Sequence, residues 1–353
     1  MQAAVIHGDR DVRLENVPDP VLATDGPAIG LDAIVRVVAS CVCGSDLWPY
    51  RGIDKVEAPR RIGHEFVGVV EEVGANVENV RVGDFVIAPF HICDDTCINC
   101  RNGWSVHCLH GGFWGSDPQT GGSADAGQGE RVRVPLADGT LVVVPGQPDP
   151  ALIPGLLTLS DVMPTGHHAA VSGGVSKDST VAVVGDGAVG LCAVIAAKRL
   201  GAARIVAMSR HTNRQELACQ FGATDIVPER GDAGIATLKE MFDGIGPDVV
   251  LECVGTKESM DQALRSARPG GQVGFVGVPY GGPLEIGTMF SSNVGVRGGV
   301  APVRSYLDEL LPDVLDSTIQ PGRVFDAEMR LSDIAAAYVA MDERRAIKVL
   351  LRP

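Results

Sequence analysis

The chain is 353 residues long, 45% hydrophobic and 21% charged, with 44 Gly, 22 Pro, 9 Cys and a formal net charge of −14 at pH 7. That length corresponds to roughly two domains of about 150 residues and suffices to bury a large core. Glycine stands at about 12%, above a background of roughly 7%, but it has no collagen-like period and accompanies ample Val, Ile and Leu, which excludes a fibre or a disordered chain. The negative balance offers no general attraction to nucleic acid or to an anionic membrane, so any phosphate site must be local. The opening MQAAVIHGDRDVRLENV mixes acids and bases without an apolar core, and no 18-residue apolar run occurs, so neither a secretory signal nor a membrane span is expected. Nine cysteines are an odd number, and four of them crowd into positions 93 to 108. This argues against a disulfide framework and for a reducing, cytoplasmic location.

Up to about residue 150 the chain reads as short strands broken by Gly, Pro and Asp: AIVRVVAS, EFVGVVEEVG, DFVIAPF and RVRVPLADGTLVVVP. Strands at this spacing predict an antiparallel, barrel-like domain. Two local signals within it point to zinc: Cys43-Gly-Ser-Asp46 in a loop after a strand, and Gly63-His64-Glu65 before one. Thiolate and imidazole are standard zinc donors, and three protein ligands with an open position make a catalytic site. Further on, Cys93, Cys97, Cys100 and Cys108 are spaced C-x3-C-x2-C-x7-C. Four thiolates so close can enclose a structural zinc. The other reading leaves Cys93 free, with Asp94 or Asp95 hydrogen-bonding locally. The Gly/Ser/Asp-rich stretch 115–130 reads as a loop.

From about Asp161 the rhythm changes to alternating strands and helices, which predicts a parallel sheet covered by helices. Within VAVVGDGAVGLCAVIAAKRLG, Gly185, Gly187 and Gly190 form G-x-G-x-x-G after a strand-like run and at the head of an apolar helix, where Ala188 and Val189 also lie. The glycines permit the tight turn, the approach of backbone to a pyrophosphate and close helix packing. The next strand ends in RIVAMSRHTNR, which offers Ser209, Arg210 and Arg214 and no acid for a ribose 2′-hydroxyl. A hydroxyl with guanidinium groups suits a 2′-phosphate, which predicts NADP(H) over NAD(H). After about residue 300 a helical RSYLDELLPDVLDS precedes a final strand, AIKVLLRP, which breaks the alternation and can return to the first domain.

With these residues in place the sequence resembles the zinc-containing medium-chain dehydrogenases/reductases, the alcohol dehydrogenases; GHEFVGVVEEVGANV fits that family's zinc signature at every fixed position, and the likeness spans essentially the whole chain. The resemblance implies an α/β protein: a GroES-like β-rich catalytic domain over residues 1–160 and 300–353, a Rossmann domain over 161–299, and an active site in the cleft. It makes Cys43 and His64 zinc ligands, Asp46 the acid orienting His64, and Glu65 an occasional ligand. The segment SDVMPTGHHA looks like the bacterial NADP-dependent secondary alcohol dehydrogenases, in which an aspartate, here Asp161, is the third ligand. Ser45 begins the family's proton relay. Many relatives continue it through a histidine three residues on, where this chain has Trp48, leaving Tyr50 or water as the route. Trp48 and Phe90 are then walls of the substrate pocket, with an ordinary core tryptophan the other reading of Trp48.

By the same resemblance Thr165, Val254 and Val276 lie at the nicotinamide and Lys348 reaches the cofactor pyrophosphate. The family's usual lobe is C-x2-C-x2-C-x7-C, so Cys93 carries one extra residue. The implied activity is zinc-dependent hydride transfer between NADP(H) and a small alcohol, ketone or aldehyde, with secondary alcohols favoured. Polyol, amino-alcohol or aldehyde dehydrogenation or dismutation, and a non-catalytic NADPH-binding role, are the alternatives. Relatives of this type are homodimers or homotetramers.

Overall fold

The structure, a computed structural model, describes residues 1–24, 26, 29–116, 125–279 and 282–353. Half of the glycine-rich stretch 115–130 expected as a loop, residues 117–124, lies outside the described residues. The chain divides into two compact units, Met1–Asp161 with Pro302–Pro353, and Val162–Ala301. The division falls one residue after Asp161, so that carboxylate belongs with Cys43 and His64 in the first unit.

In the first unit the strand Ala33–Cys41 is buried along most of its length and is the sheet's hub. It pairs antiparallel with Phe66–Val73, Arg131–Val134 and the last strand, Val349–Arg352. Branched and aromatic residues suit this pleated, enclosed setting. Val35, Val37, Phe66, Val70, Val86 and Val132 fill one core of the unit, and Ile6, Leu47, Ile334, Tyr338 and Leu351 fill another. Each such side chain contributes about 1.5–3 kcal/mol on burial. The pairing of Leu350 with Cys41 returns the C-terminus to the first unit, next to the loop that carries Cys43.

The second unit is a six-stranded parallel sheet in the order Asp225–Val227, Arg204–Met208, Thr180–Val184, Val249–Glu252, Gln272–Phe275, Gly295–Gly298. This is the doubly wound order in which the chain reverses direction beside the first strand, and ligands bind at the carboxyl ends there. Helices alternate with the strands because parallel neighbours need a crossover. The helix Lys257–Ser266 starts on a capping box between Thr256 and Ser259, which satisfies two otherwise orphaned amides.

Candidate active site and dinucleotide turn

Register brings the candidate metal ligands together. Ser40 pairs with Phe66, so the loop after one strand and the His64–Glu65 segment before the other meet at one end of the sheet. Asp161 joins them from the end of the segment after helix Ile153–Thr158, where Ser160 accepts a hydrogen bond from the Phe90 amide at 2.9 Å. Donor atoms of Cys43, His64, Glu65 and Asp161 all lie within 4.8 Å of one another. Asp161 Oδ2 is 3.6 Å from Cys43 Sγ and 3.5 Å from His64 Nε2.

Two carboxylates and a thiol withdrawn from water repel one another and are costly without a cation. Burial, reinforced by Glu65, raises the Cys43 pKa, and burial also raises that of Glu65 against the pull of Lys348. Glu65 Oε1 accepts from Lys348 Nζ at 2.7 Å, while Oε2 is buried without a partner among the described residues. One thiolate, one imidazole nitrogen and carboxylate oxygens are zinc's own donor types. The residues present therefore fit a zinc ion.

Asp46 organises the cluster from behind. Its Oδ2 accepts from the Cys43 amide at 2.9 Å and from Gln128 Nε2 at 3.1 Å, and its Oδ1 is 3.3 Å from His64 Nδ1. That contact turns Nε2 toward the other donors. Burial disfavours the His64 imidazolium, but Asp46, Cys43 and Asp161 outweigh it and hold the pKa well above the usual histidine range. Gln128 also donates to the Cys41 carbonyl at 3.0 Å and accepts from Tyr338 Oη at 3.0 Å. Gly63 adopts φ +100°, and a Cβ there would stand 2.4 Å from Gln128 Cγ, which explains the glycine before His64. Neither Gln128 nor Tyr338 carries a local sequence signature; only the fold joins them to Asp46.

Lys348 corrects an expectation. Its side chain is 1% exposed, and Nζ bonds Glu65 and, at 3.3 Å, the Val42 carbonyl. It is the buried counter-ion of Glu65 in the Cys43–His64–Glu65–Asp161 group, and that bond engages the amine expected at a pyrophosphate. Burial disfavours its charge, yet Cys41 and Glu65 keep its pKa well above the ordinary lysine value.

Ser45 Oγ is 3.4 Å from His64 Nε2, and both residues line a cavity of roughly 160 Å³ together with Arg60, Ile62 and Trp114. Phe90 stands edge-on to the His64 ring, 6.4 Å between centroids. Trp48 is not among the residues lining this cavity; its ring lies beneath the Arg51 guanidinium, 6.0 Å away. Trp48 is half-buried in the helical turn Leu47–Tyr50, whose Pro49 lines the cavity. Tyr50 is buried against Tyr338, 5.2 Å between rings.

The cysteine lobe departs from its expected ligand set. The four donors that gather within 4.8 Å are Asp94, Cys97, Cys100 and Cys108, and Cys93 is not one of them. Cys93 packs beside the group with its thiol aimed 3.3 Å from the Gly139 carbonyl, and burial pushes its pKa up to about 12. Asp94 Oδ1 lies 3.4 Å from Cys100 Sγ and accepts from the Thr96 and Cys97 amides at 2.8 and 3.0 Å. The physical reason is register: the residue after Cys93 stands three before Cys97, so the spacing Asp94-x2-Cys97-x2-Cys100-x7-Cys108 contains no extra residue. That spacing was a sequence signal in plain view. Hydrogen bonds from the Leu109 and Cys100 amides bring the Cys97 pKa down to about 7.

In the second unit Gly185 adopts φ +118° directly after strand Thr180–Val184, and a Cβ on Gly190 would stand 2.1 Å from the Gly185 carbonyl oxygen. Gly187 has no atom within 4 Å of its missing Cβ, and as N-cap of Ala188–Arg199 it offers no side-chain cap. The amides of Ala188, Val189 and Gly190 are thus left for a ligand, a cradle that fits a dinucleotide pyrophosphate. Val254 and Val276 follow the carboxyl ends of the two adjoining strands, and Thr165 lies in the buried helix Val162–Ser172.

The residues expected to receive a 2′-phosphate are arranged differently from expectation. Ser209 is buried and its hydroxyl donates to Asp186 Oδ2 at 2.8 Å. Arg214 is buried too, with Nη1 at 3.2 Å from the Asp186 carbonyl and 3.3 Å from Asp186 Oδ1. Only Arg210 of the three is exposed. The strand end lacks an acid, as its sequence says, but the glycine turn supplies one.

Residues 30–146 match the alcohol dehydrogenase GroES-like domain and residues 188–315 the zinc-binding dehydrogenase domain. Zinc-type alcohol dehydrogenase B of Aspergillus flavus is 31% identical over all of this chain and 81% of its own length. Among solved structures, alcohol dehydrogenase TADH from Thermus sp. ATN1 superposes with TM-score 0.89 at 34% identity, covering 100% of this chain and 99% of that one. A zinc-binding dehydrogenase from Sinorhizobium meliloti 1021, solved bound to NADP, superposes with TM-score 0.80 at 26% identity over 100% and 99% of the two chains. The chain therefore belongs to the zinc-dependent medium-chain dehydrogenase/reductase family and is an oxidoreductase of the alcohol dehydrogenase type.

Proposed function

We propose that this protein interconverts a small alcohol, preferably secondary, with its ketone or aldehyde, using NADP(H) and a zinc ion held by Cys43, His64 and Asp161 with Glu65 beside it. The observation that carries this reading is the buried cluster of those four donors, whose charge calls for a divalent cation. Zinc bound there would act as a Lewis acid on the substrate oxygen. The preference for secondary alcohols rests on Asp161, which occupies the position of an aspartate in the secondary alcohol dehydrogenases that the sequence resembles.

Asp46 holds the His64 ring so that its Nδ1 donates and its Nε2 faces the reacting space. Ser45 Oγ, beside His64 in the cavity, takes the substrate hydroxyl proton on oxidation and returns it on reduction. With tryptophan at position 48 and Tyr50 buried, the proton leaves Ser45 through water in the cavity. NADP(H) is favoured by Arg210 at the strand end and by the relative solved with NADP. Its nicotinamide would lie by Thr165, Val254 and Val276.

A second, structural zinc belongs in the lobe, held by Asp94, Cys97, Cys100 and Cys108 with no open position. The protein works as a homodimer or homotetramer: Leu284, Ile286 and Phe290 are exposed apolar residues near the outermost strand, Gly295–Gly298, of the parallel sheet. Asp161→Ala tests the core of this reading. It should remove activity and one equivalent of zinc by metal analysis; retention of both would refute the ligand set.

A further inference from the structure

We propose that Asp186, the residue between Gly185 and Gly187, sets how strongly this chain discriminates between a dinucleotide with a 2′-phosphate and one without. The proposal rests on reading the Gly185–Gly190 turn as a dinucleotide site. In such sites the end of the second strand, here Ser209 after Arg204–Met208, faces the adenosine ribose hydroxyls. Asp186 reaches that position from the turn, 23 residues earlier in the chain, and its Oδ2 accepts a hydrogen bond from the Ser209 hydroxyl at 2.8 Å. Its Oδ1 and carbonyl oxygen both engage Arg214 Nη1, at 3.3 and 3.2 Å. Gln215 Nε2 donates to the Ser209 carbonyl at 2.6 Å, which holds the strand end in place against this contact.

The arrangement has two electrostatic consequences. A full negative charge stands within hydrogen-bond distance of the hydroxyl that would otherwise donate to a 2′-phosphate, and it favours an unphosphorylated ribose that can donate to it. The same carboxylate neutralises Arg214, removing that guanidinium from phosphate recognition. Against it stand Arg210 and Arg230, both exposed, with His211 between them in chain order; burial first, then Arg214, Arg210 and Arg230, lower the His211 pKa, against the pull of Asp186. The site is thus a balance of guanidinium groups against one carboxylate. Removing the carboxylate charge releases the Ser209 hydroxyl and Arg214 toward a phosphate and leaves the pyrophosphate cradle intact.

The test is titration calorimetry of the intact protein with 2′,5′-ADP and with 5′-ADP, comparing wild type, Asp186→Asn and Asp186→Ser, with thermal melting as a check on folding. The ratio of the two affinities should shift at least tenfold toward 2′,5′-ADP in both variants, and the kcat/KM ratio of NADPH to NADH should move the same way through KM. The serine variant keeps the experiment decisive if the asparagine one does not fold. An unchanged ratio, or a shift toward 5′-ADP, overturns the proposal. Failure of both probes to bind wild type would instead overturn the dinucleotide reading beneath it, a distinguishable result.

Discussion

Lys348 and Glu65 show how much a single buried pair can matter at the residue scale. The two are 1% and 0% exposed and meet at 2.7 Å, behind the metal-binding donors. Removing one partner leaves the other charged and out of water, a loss of about 3–5 kcal/mol. Lys348→Met should therefore lower the denaturation midpoint sharply, and adding Glu65→Gln should recover much of the loss; additive effects in the double variant would contradict the pairing. Lysine at this position is easy to see in the sequence, but its burial is not. It comes from the antiparallel return of the last strand onto Ala33–Cys41, a contact across some three hundred residues. The same holds for Asp186 and for the Tyr338–Gln128–Asp46 chain, whose members share no local pattern. Cys43, His64 and the three glycines are legible because their chemistry is set by short spacing and flanking strands. Asp94 was also within reach, since its spacing to Cys97 is visible, but counting cysteines alone hides a carboxylate in the same slot.

Among the elements, the cysteine lobe and the centre of the parallel sheet carry separate predictions. In the lobe, Asp94→Ala should remove one zinc per chain and loosen residues 94–108, whereas Cys93→Ser should keep the metal; zinc analysis distinguishes the two. Loss of the metal from Cys93→Ser with retention in Asp94→Ala would restore the four-thiolate assignment. In the sheet, Asp248 precedes strand Val249–Glu252 and accepts from the Thr180 amide at 2.8 Å, the Thr180 hydroxyl at 2.7 Å and Arg268 Nε at 2.7 Å. Burial alone would raise its pKa, but the bonds from Thr180 and Arg268 lower it. A depressed folded-state pKa means the stabilisation is complete above the unfolded carboxylate value, near 4, and is lost as pH falls through the folded value. The stability gap between wild type and Asp248→Asn should be about 1 kcal/mol at neutral pH and close below pH ~4. A gap independent of pH would show that the charge plays no part. Such side-chain bonds between parallel strands are invisible in sequence, because the two partners are separated by three helices and two further strands, though the strands themselves stand out as apolar runs.

For the whole molecule, the change of rhythm near Asp161 is what reveals two architectures in one chain: β-rich and antiparallel before it, alternating strand and helix after it. The physical cause is the connection each sheet needs, tight turns for antiparallel neighbours and helical crossovers for parallel ones. The short strands of the first unit, such as Arg60–Arg61 and His91–Ile92, have too few residues to show a period, so their pairing emerges only from the fold. The net charge of −14 is compatible with an anionic cofactor because the positive groups are gathered locally, at Arg210 and Arg230, with the amides of the glycine turn. Hydride transfer by this protein should require an ion held by Cys43, His64 and Asp161. The most direct measurement is the nicotinamide absorbance change of one preparation, stripped of zinc by a chelator and then reloaded, with a panel of secondary alcohols and their ketones. Turnover with NADP(H) in the reloaded protein and none in the stripped protein is the predicted result. Equal turnover in both, or none in the reloaded protein with any member of the panel, would contradict it.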